Sequence, residues 1–482
     1  MLYMLFKELI MKKNLPLLTP FIALLFSHCS GNKIVLTNKT ASRGEYVAIN
    51  NYKSVEKRNN TQDSTLSLAM SISGGGSRAS NFGKGVLLEL EKIAYNSNSN
   101  VLHEIDYFST VSGGGHAAGA YIGSLYAYDK ESKHEGAYSF NSFYQKNYKD
   151  LAFRYKTQPQ WFYTFCQLFP FNRNKLLEKR VDNHVLMRNK THQSILLGDM
   201  FIHKDSAKAV KYPMVVASSS CLENKIKVPF APEVLAKYKL AAYNHRGKTI
   251  HNKNMAALPL SVALTSSGTV PMMVPPTVFK VEKKKYMRFV DGGLTDNTGI
   301  LTALQILDQK DKQTRNKIII VDDTPGGISD DYYMGKCKRN KYSLMGLVWY
   351  GLDSRYTTFY ESLEQAADCR NHITKSKIDH VVLDFRTLLR EPEATSLHYI
   401  QDVIEKDSSY NKITATKAML AKYEDAANVV PPIKDRKTIF ELISNVQTKY
   451  EASDLERRIL ILAGKIVVRM QKENINALLK SN

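Results

Sequence analysis

The sequence predicts an α/β fold with a mainly parallel central sheet, because a strand-turn-helix unit occurs twice within about fifty residues. Residues 66–73 alternate apolar with small side chains, as a strand does, and lead into the glycines at residues 74–76. Residues 105–111 form a second strand-like run, which leads to Ser112 and another glycine cluster. Helical patterns follow both clusters, over residues 85–93 and 116–122. Two such units in succession are typical of parallel strands joined by helices.

Later segments extend this sheet and then change character. Short apolar runs predict further strands at residues 213–217, 288–290, 317–321 and 380–383. Residues from about 130 to 190 are aromatic and basic with little periodicity, so we interpret them as an insertion or cap. From about residue 400 the patterns are helical, and residues 331–482 are therefore predicted to hold the end of the core and a helical C-terminal region.

The composition limits the classes of protein to consider. The chain has 482 residues, of which 43% are hydrophobic, enough for one large domain or two of ordinary size. Its formal net charge of +21 favours a polyanionic partner, either nucleic acid or the anionic face of a membrane. The sequence has no helix-turn-helix, zinc-finger or RNA-recognition pattern, so nucleic acid is not expected. The five cysteines form no CxxC pair, and no metal or cofactor is predicted.

The N-terminus has the pattern of a targeting segment. Two lysines precede an apolar stretch over residues 15–26, which is short for a membrane-spanning helix and typical of a secretory signal. The segment ends at Cys29, in a context that resembles the signals of bacterial lipoproteins, whose cysteine becomes lipidated. We therefore predict a signal over residues 1–29, a polar tether over residues 30–63, and export to a bacterial cell envelope as an outer-membrane lipoprotein or a secreted protein. A buried cysteine in an uncleaved N-terminal helix is the alternative.

The first candidate site motif is the glycine-rich turn Ser73-Gly74-Gly75-Gly76-Ser77-Arg78, between the first strand and the first helix. Glycines leave backbone amides without side-chain cover, and amides at a helix N-terminus attract anions. A phosphate loop of the GxxxxGK[ST] type does not fit, because Arg78 and Gly85 stand where that pattern needs glycine and Ser or Thr. The remaining interpretations are an oxyanion hole for acyl transfer and an ordinary tight turn.

The second motif is Thr110-Val111-Ser112-Gly113-Gly114-Gly115, at the end of the second strand. A serine between a strand and a helix, followed by glycine, resembles the nucleophile elbow of hydrolases, whose pattern is GxSxG. Such a turn holds the Ser112 hydroxyl clear of its neighbours, and the helix behind it favours developing negative charge. Thr110 stands where the pattern has its first glycine, so the match is partial.

The third motif is Asp291-Gly292-Gly293, which follows the strand-like residues 286–290. An aspartate at the end of a strand can project into a site at the carboxyl edge of a sheet. Asp-Gly pairs are also common in turns, so an ordinary turn is the alternative when this motif is considered alone.

Together, and in this order, the three motifs resemble those of the patatin-like phospholipases, whose pattern is GGGxR, then GxSxG, then DGG or DGA. The matching segments here are Gly74–Arg78, Thr110–Gly114 and Asp291–Gly293. Residues 263–271 and 294–299 are also similar to that family. The resemblance covers roughly residues 64–330, and it implies that this range is a catalytic core with the patatin-like three-layer sandwich, followed by a C-terminal helical extension.

The resemblance also implies a mechanism. Ser112 would attack an ester carbonyl and Asp291 would act as its base, so that the two residues form a catalytic dyad. The oxyanion hole would be built from Gly74, Gly75, Gly76 and Ser77. Supporting roles fall to Arg78, Gly113, Gly114, Gly292 and Gly293. The implied substrate is a phospholipid or lysophospholipid, cleaved by an activity of the phospholipase A or lysophospholipase type.

Two alternatives stay open on the same fold. A Ser-His-Asp lipid esterase needs a histidine near Ser112, in the chain order Ser, Asp, His or close by on the following helix. The histidines considered are His116, His372, His380 and His398. We favour packed or solvent-facing roles for all of them. A catalytically impaired lipid-binding protein is the second alternative, because Thr110 departs from GxSxG. The expected partner is an anionic membrane surface, and the sequence identifies no protein activator.

Overall fold

The structure is a computed structural model of the chain. It describes residues 63, 65–131, 137–148, 173–201, 212–223, 226–238, 240, 242–245, 248–270, 274, 276–281, 285–307, 315–323, 378–390, 412–444, 446 and 452–481. The predicted signal with Cys29, and all of the predicted tether except residue 63, lie outside this described part. Residues 149–172 of the predicted insertion also lie outside it, as do His372 and His398.

Ten strands of the described chain form one sheet. They are β1 (Leu66–Ile72), β2 (Ile105–Val111), β3 (Met214–Cys221), β4 (Ile226–Pro229), β5 (Ala242–His245), β6 (Lys248–His251), β7 (Thr277–Lys280), β8 (Tyr286–Asp291), β9 (Arg315–Asp322) and β10 (Asp379–Asp384). Their order across the sheet is β10-β9-β1-β2-β3-β8-β7-β5-β6, and β4 pairs with β3. Each segment predicted as a strand lies in one of these strands, so those predictions are confirmed.

The sheet has a parallel half and an antiparallel half. β10, β9, β1, β2 and β3 run parallel to one another. The other strands join through antiparallel pairs, beginning with β8 and β4 on β3. Every residue of β1 and of β3 is buried, as expected for strands covered on both faces. The α/β class is therefore confirmed, with a sheet that is mixed.

Helices flank this sheet. They are α1 (Ser77–Leu90), α2 (Val101–Glu104), α3 (Gly114–Lys130), α4 (Phe140–Tyr148), α5 (Arg173–Arg180), α6 (Arg188–Thr191), α7 (Pro232–Lys237), α8 (Leu260–Ser267), α9 (Ile300–Leu307), α10 (Lys412–Glu424), α11 (Ile433–Ser444), α12 (Asp454–Met470) and α13 (Lys472–Lys480). A π-helical turn, Val181–Val185, continues α5, and α1 and α3 directly follow the two glycine clusters.

The C-terminal helices pack directly on the core. Helix α12 lies along α1, which also contacts α3, while α9 lies against β1, β2 and β9. The approach of α12 to α1 needs glycine on both sides: a Cβ at Gly85 would lie 2.1 Å from the Ile461 carbonyl oxygen, and one at Gly464 would lie 2.4 Å from that of Phe82. A buried ion pair between Arg469 and Glu89, at 2.8 Å, joins the same two helices.

Two kinds of feature are absent from the described residues. None of the described helices combines the length and hydropathy that a membrane crossing requires. No group of three or more His, Cys, Asp or Glu side chains in the described part is placed to hold a metal ion.

Candidate active site

Ser112 stands in a sharp turn between β2 and α3. Its φ is 48°, a left-handed conformation that is rare for residues other than glycine and that marks a strained backbone. The two glycines that follow make the turn possible, because a Cβ at Gly113 would lie 1.9 Å from the Gly76 carbonyl oxygen and one at Gly114 would lie 2.5 Å from that of Ile72. The turn therefore presses directly against the glycine-rich loop after β1.

Ser267, at the end of α8, ties down the strained turn. The Ser112 amide donates to the Ser267 hydroxyl oxygen at 2.9 Å, and the Ser267 hydroxyl donates in turn to the carbonyl of Ser218 on β3, at 2.5 Å. Ser267 is fully buried. Sequence reasoning assigned it no role, although it lies in the small-residue stretch at 263–271 that resembles the family.

We expect Ser267→Ala to lower kcat/KM for ester hydrolysis by about tenfold to a hundredfold, since small displacements of a nucleophile have effects of this order. Two buried backbone groups would lose their partner, so the free energy of unfolding should fall by about 1–3 kcal/mol. Ester kinetics and urea denaturation measure the two effects. Ser266→Ala is the matched control, because the Ser266 hydroxyl donates only to the Val262 carbonyl of its own helix. Equal losses of activity in both variants would contradict this role for Ser267.

Asp291 reaches the same place from the antiparallel half of the sheet. Val111, the last residue of β2, pairs with Ser218 of β3, so the rest of β3 extends beyond the end of β2. β8 pairs with this extension, with Asp291 opposite Ser219, and so runs back toward the carboxyl end of β2. The strand that carries Asp291 therefore runs antiparallel to β2. The aspartate arrives at the correct edge because the strand that carries it runs in the opposite direction.

The Asp291 carboxylate lies beside both neighbouring motifs. The Ser112 hydroxyl is close enough to this carboxylate to lower its pKa. Its Oδ1 also accepts the Gly293 amide at 2.8 Å, while the Asp291 amide donates to the Thr269 carbonyl at 2.9 Å. Gly292 is needed here because a Cβ would lie 2.1 Å from the Ser218 carbonyl oxygen. The sequence prediction that the Ser112 and Asp291 side chains come together therefore matches the geometry.

Burial makes this carboxyl group a weaker acid than an ordinary aspartate. Burial raises the pKa of Asp291 to about 6, although the hydrogen bonds from Ser112 and the Gly293 amide act to lower it. Asp291 is only 7% exposed. A carboxylate with a pKa near neutrality is a stronger base than an ordinary aspartate, and it is still ionised at pH 7.

The glycine-rich loop after β1 faces the elbow. Gly76 has φ 61° and precedes α1, so the loop amides lie at a helix N-terminus. The Gly74 amide donates to the Asn297 carbonyl at 2.8 Å, so it is already engaged and the inclusion of Gly74 among the oxyanion donors is wrong. Among the described residues, no acceptor takes the amides of Gly75, Gly76 or Ser77. These amides are left as the candidate donors to an anion.

Asp323, at the end of β9, holds this loop in shape. It accepts the Ser73 hydroxyl at 2.8 Å and pairs with Arg78 Nε at 3.0 Å. Arg78 also donates to the Val446 carbonyl at 3.1 Å, and both charged side chains are buried. Gly75 packs on the carboxylate so closely that a Cβ would lie 2.0 Å from Asp323 Oδ2. Arg78 is therefore engaged in positioning the loop, and no motif in the sequence marks its distant partner.

Thr110 stands where the GxSxG pattern has its first glycine, and Gly115 makes room for its side chain. A Cβ at Gly115 would lie 3.3 Å from Thr110 Oγ1, so the helix after the elbow leaves room for the β-branched side chain. The buried Thr110 Oγ1 has no hydrogen-bond partner among the described residues. Threonine in place of the pattern's glycine therefore leaves one buried polar atom without a partner among the described residues. Ser112 keeps its positive φ all the same.

A pocket opens beside Ser112. It is lined by Gly76, Ser77, Ser112, Gly113, His116, Leu177, Val181, Leu264, Thr265 and Gly268. The site is thus a polar corner of serine and glycine backbone that continues into an apolar wall. Part of this wall comes from α5 and the π-helical turn, within the region predicted as an insertion.

The histidines are not arranged as a triad within the described residues. His116 lies in the pocket wall, and burial together with the charge of Lys84 lowers its pKa to about 3, so its imidazole is neutral at pH 7. His380 is exposed on β10, three strands away from β2, or roughly 14 Å at ordinary strand spacing. In a Ser-His-Asp triad the carboxylate contacts the histidine. Here the carboxylate of Asp291 lies beside the serine itself.

Comparison with known proteins points to the same class of protein as the three sequence motifs. Residues 70–304 match the model of the patatin-like phospholipase family. Residues 70–304 are therefore similar to a patatin-like phospholipase domain, a match that supports the predicted class of lipid acyl ester hydrolase.

A solved structure is also similar to this chain. It is human GIVD cytosolic phospholipase A2 in complex with methyl gamma-linolenyl fluorophosphonate inhibitor and terbium chloride, at 12% sequence identity and a TM-score of 0.35. The match covers 86% of this chain and 59% of that chain, so this chain spans less than two thirds of the length of that protein. None of the curated proteins matches the chain.

Proposed function

We propose that this chain hydrolyses lipid acyl esters, with Ser112 as nucleophile and Asp291 as its base. The observation that carries the proposal is that the hydroxyl of Ser112, held in a strained turn, lies close enough to the Asp291 carboxylate to lower its pKa. No imidazole intervenes between the two groups, which supports a dyad in preference to a Ser-His-Asp triad. The strained backbone of Ser112 and the raised pKa of Asp291 are both typical of residues that perform chemistry.

Acylation follows from these positions. The Ser112 oxygen attacks the ester carbonyl carbon while its proton passes to the Asp291 carboxylate. The amides of Gly75 and Gly76 hold the resulting oxyanion, and each such donor is worth about 3 kcal/mol in comparable sites. Protonated Asp291 then gives its proton to the departing alcohol, and an acyl-serine remains. In deacylation, water attacks this ester as Asp291 takes its proton. Protonated Asp291 then returns that proton to the departing Ser112 oxygen, so that the fatty acid, the free serine and the Asp291 carboxylate are restored.

The pKa of Asp291 sets the expected pH dependence. A general base acts only when it is ionised, so kcat/KM should rise as the pH increases through about 6 and then level off. His116 has a pKa of about 3, so its titration cannot change kcat/KM in this pH range. Initial rates on a water-soluble ester between roughly pH 5 and pH 8 measure the profile. A rate that stays flat across this range, or falls as the pH rises, would count against Asp291 as the base.

We propose a phospholipid or lysophospholipid as the substrate, at an anionic membrane surface. The apolar side chains of Leu177, Val181 and Leu264 in the pocket wall suit an acyl chain, and the net charge of +21 suits anionic lipid. A panel of diacyl phospholipids, lysophospholipids, triacylglycerols and short-chain esters tests the proposal. Fatty acid release from the phospholipids is expected. Hydrolysis of neutral esters alone would correct the substrate class, and no hydrolysis of any member would overturn the proposed function.

A further inference from the structure

Helix α5 contacts the candidate site with one of its faces. Leu177 and, just beyond the helix, Val181 line the pocket that contains Ser112. Glu178, on the same face, is buried and accepts a hydrogen bond from the Tyr243 hydroxyl. These inward contacts fix the helix against the pocket wall, and its other face is turned away from the pocket.

The opposite face of α5 is basic and partly apolar. We call Lys175, Leu176 and Lys179 the outer face; all three are exposed, and Leu176 is 49% exposed. No other large hydrophobic side chain in the described part of the chain has a larger exposed fraction. The outer face thus presents one apolar side chain flanked by cationic groups on the solvent side of the helix.

We propose that the outer face of α5 docks on an anionic phospholipid bilayer and brings the pocket to the lipid. This inference rests on the proposed function, and it names the surface through which that function meets its substrate. Leu176 would enter the acyl boundary, while Lys179 extends to the lipid phosphates. Charge complementarity selects this partner, because the lysines favour anionic headgroups and the leucine favours hydrocarbon. Since Leu177 follows Leu176 directly, a lipid leaving the bilayer beside the helix meets the pocket wall at once.

A second exposed surface with similar residues supplies the control. On the β7–β8 hairpin, Lys280 is exposed and stands opposite Tyr286, which is 45% exposed. Each surface thus presents an exposed lysine beside an exposed large hydrophobic side chain. Lys280 and Tyr286 do not line the pocket. Changing one lysine and one hydrophobic residue on each surface therefore compares docking at the pocket rim with general attraction of a basic protein to lipid.

The test measures binding to vesicles separately from catalysis, in the full chain carrying Ser112→Ala. Vesicles of phosphatidylcholine mixed with phosphatidylglycerol, and vesicles of phosphatidylcholine alone, are the probes in a flotation assay. We expect binding to the mixed vesicles, a fall of about tenfold or more in the partition coefficient with Leu176→Gln and Lys179→Gln together, and little change with Lys280→Gln and Tyr286→Thr together. Unchanged thermal midpoints establish that the variants fold.

The inference is overturned if the α5 variant binds like its parent, if the hairpin variant loses as much binding, or if the parent does not bind anionic vesicles. If the α5 variant does not fold, Lys179→Glu alone, on the exposed face, replaces it under the same criteria. The proposed function is tested separately, by hydrolysis of water-soluble esters by the chain with Ser112 intact. Vesicle binding that depends on α5 without ester hydrolysis would uphold the docking surface and reject the chemistry.

Discussion

Replacing Ser112 with alanine is expected to lower kcat/KM for ester hydrolysis by about a thousandfold or more. Removing a serine nucleophile from a well-built site has effects of this size or larger, because only transition-state binding by the rest of the site remains. The measurement is the rate on a water-soluble ester, so that membrane binding does not enter. The fold should survive, since the strained backbone of Ser112 is held by Ser267 through the amide, which the substitution leaves in place.

Ser124→Ala on α3 is the matched control for this variant. Ser124 is a buried serine of the helix that begins after the elbow, and its hydroxyl donates to the Tyr121 carbonyl. Its loss should leave kcat/KM within a few fold, even if it costs about 1 kcal/mol of stability. Hydrolysis that persists in Ser112→Ala at the rate of the parent chain would remove the serine from the mechanism.

Replacing Asp291 with asparagine is expected to lower kcat/KM by about a thousandfold to ten-thousandfold, comparable to the loss of an essential aspartate in other serine hydrolases. Asparagine keeps the size and an acceptor oxygen but cannot take the serine proton. The residual kcat/KM of this variant should not rise with pH near 6, because that rise comes from ionisation of the aspartate. Glu223→Gln is the control, because Glu223 pairs with Arg288 on the same strand as Asp291 but away from the serine. Activity that survives Asp291→Asn would favour a histidine base.

The same variant is expected to stabilise the fold at neutral pH. Burial raises the pKa of Asp291 from 3.8 to about 6, so the folded state disfavours the carboxylate relative to the unfolded chain. Below pH 3.8 the group is protonated in both states and costs nothing. As the pH rises through about 6, the cost grows to its full value, which is about 3 kcal/mol at 1.36 kcal/mol per pH unit.

The neutral amide of Asp291→Asn carries no such cost, so the free energy of unfolding at pH 7 should increase by up to about 3 kcal/mol, and the difference should disappear below about pH 4. Urea denaturation at the two pH values measures it. A variant that is less stable than its parent at pH 7 would show that the ionised carboxylate contributes to the fold instead of opposing it.

Local patterns were sufficient to predict the strands and the helices that carry the site. The alternation over residues 66–73 and 105–111 and the glycines that follow each run specify two strand-turn-helix units, because period and turn chemistry are encoded in neighbouring residues. The direction of β8 was not predictable in this way. A strand pattern is the same in both directions, and only the pairing of β8 with β3 decides where Asp291 lies.

The supporting residues of the site were missed for the same physical reason. Asp323 holds the glycine loop from β9, and Ser267 holds the elbow from α8, each through contacts between residues far apart in the sequence. Gly74 was assigned to the oxyanion hole because all the loop glycines looked equivalent, but its amide is taken by the Asn297 carbonyl. Hydrogen-bond accounting of this kind requires the tertiary structure.

The central claim is that Ser112 is the residue that becomes acylated, and covalent labelling tests it most directly. A fluorophosphonate probe reacts with an activated serine, and peptide mass spectrometry of the labelled chain locates the adduct. We predict one adduct per chain, on Ser112, with labelling that is lost in Ser112→Ala and strongly slowed in Asp291→Asn. An adduct on another residue, or labelling that is equally fast in Asp291→Asn, would contradict the account.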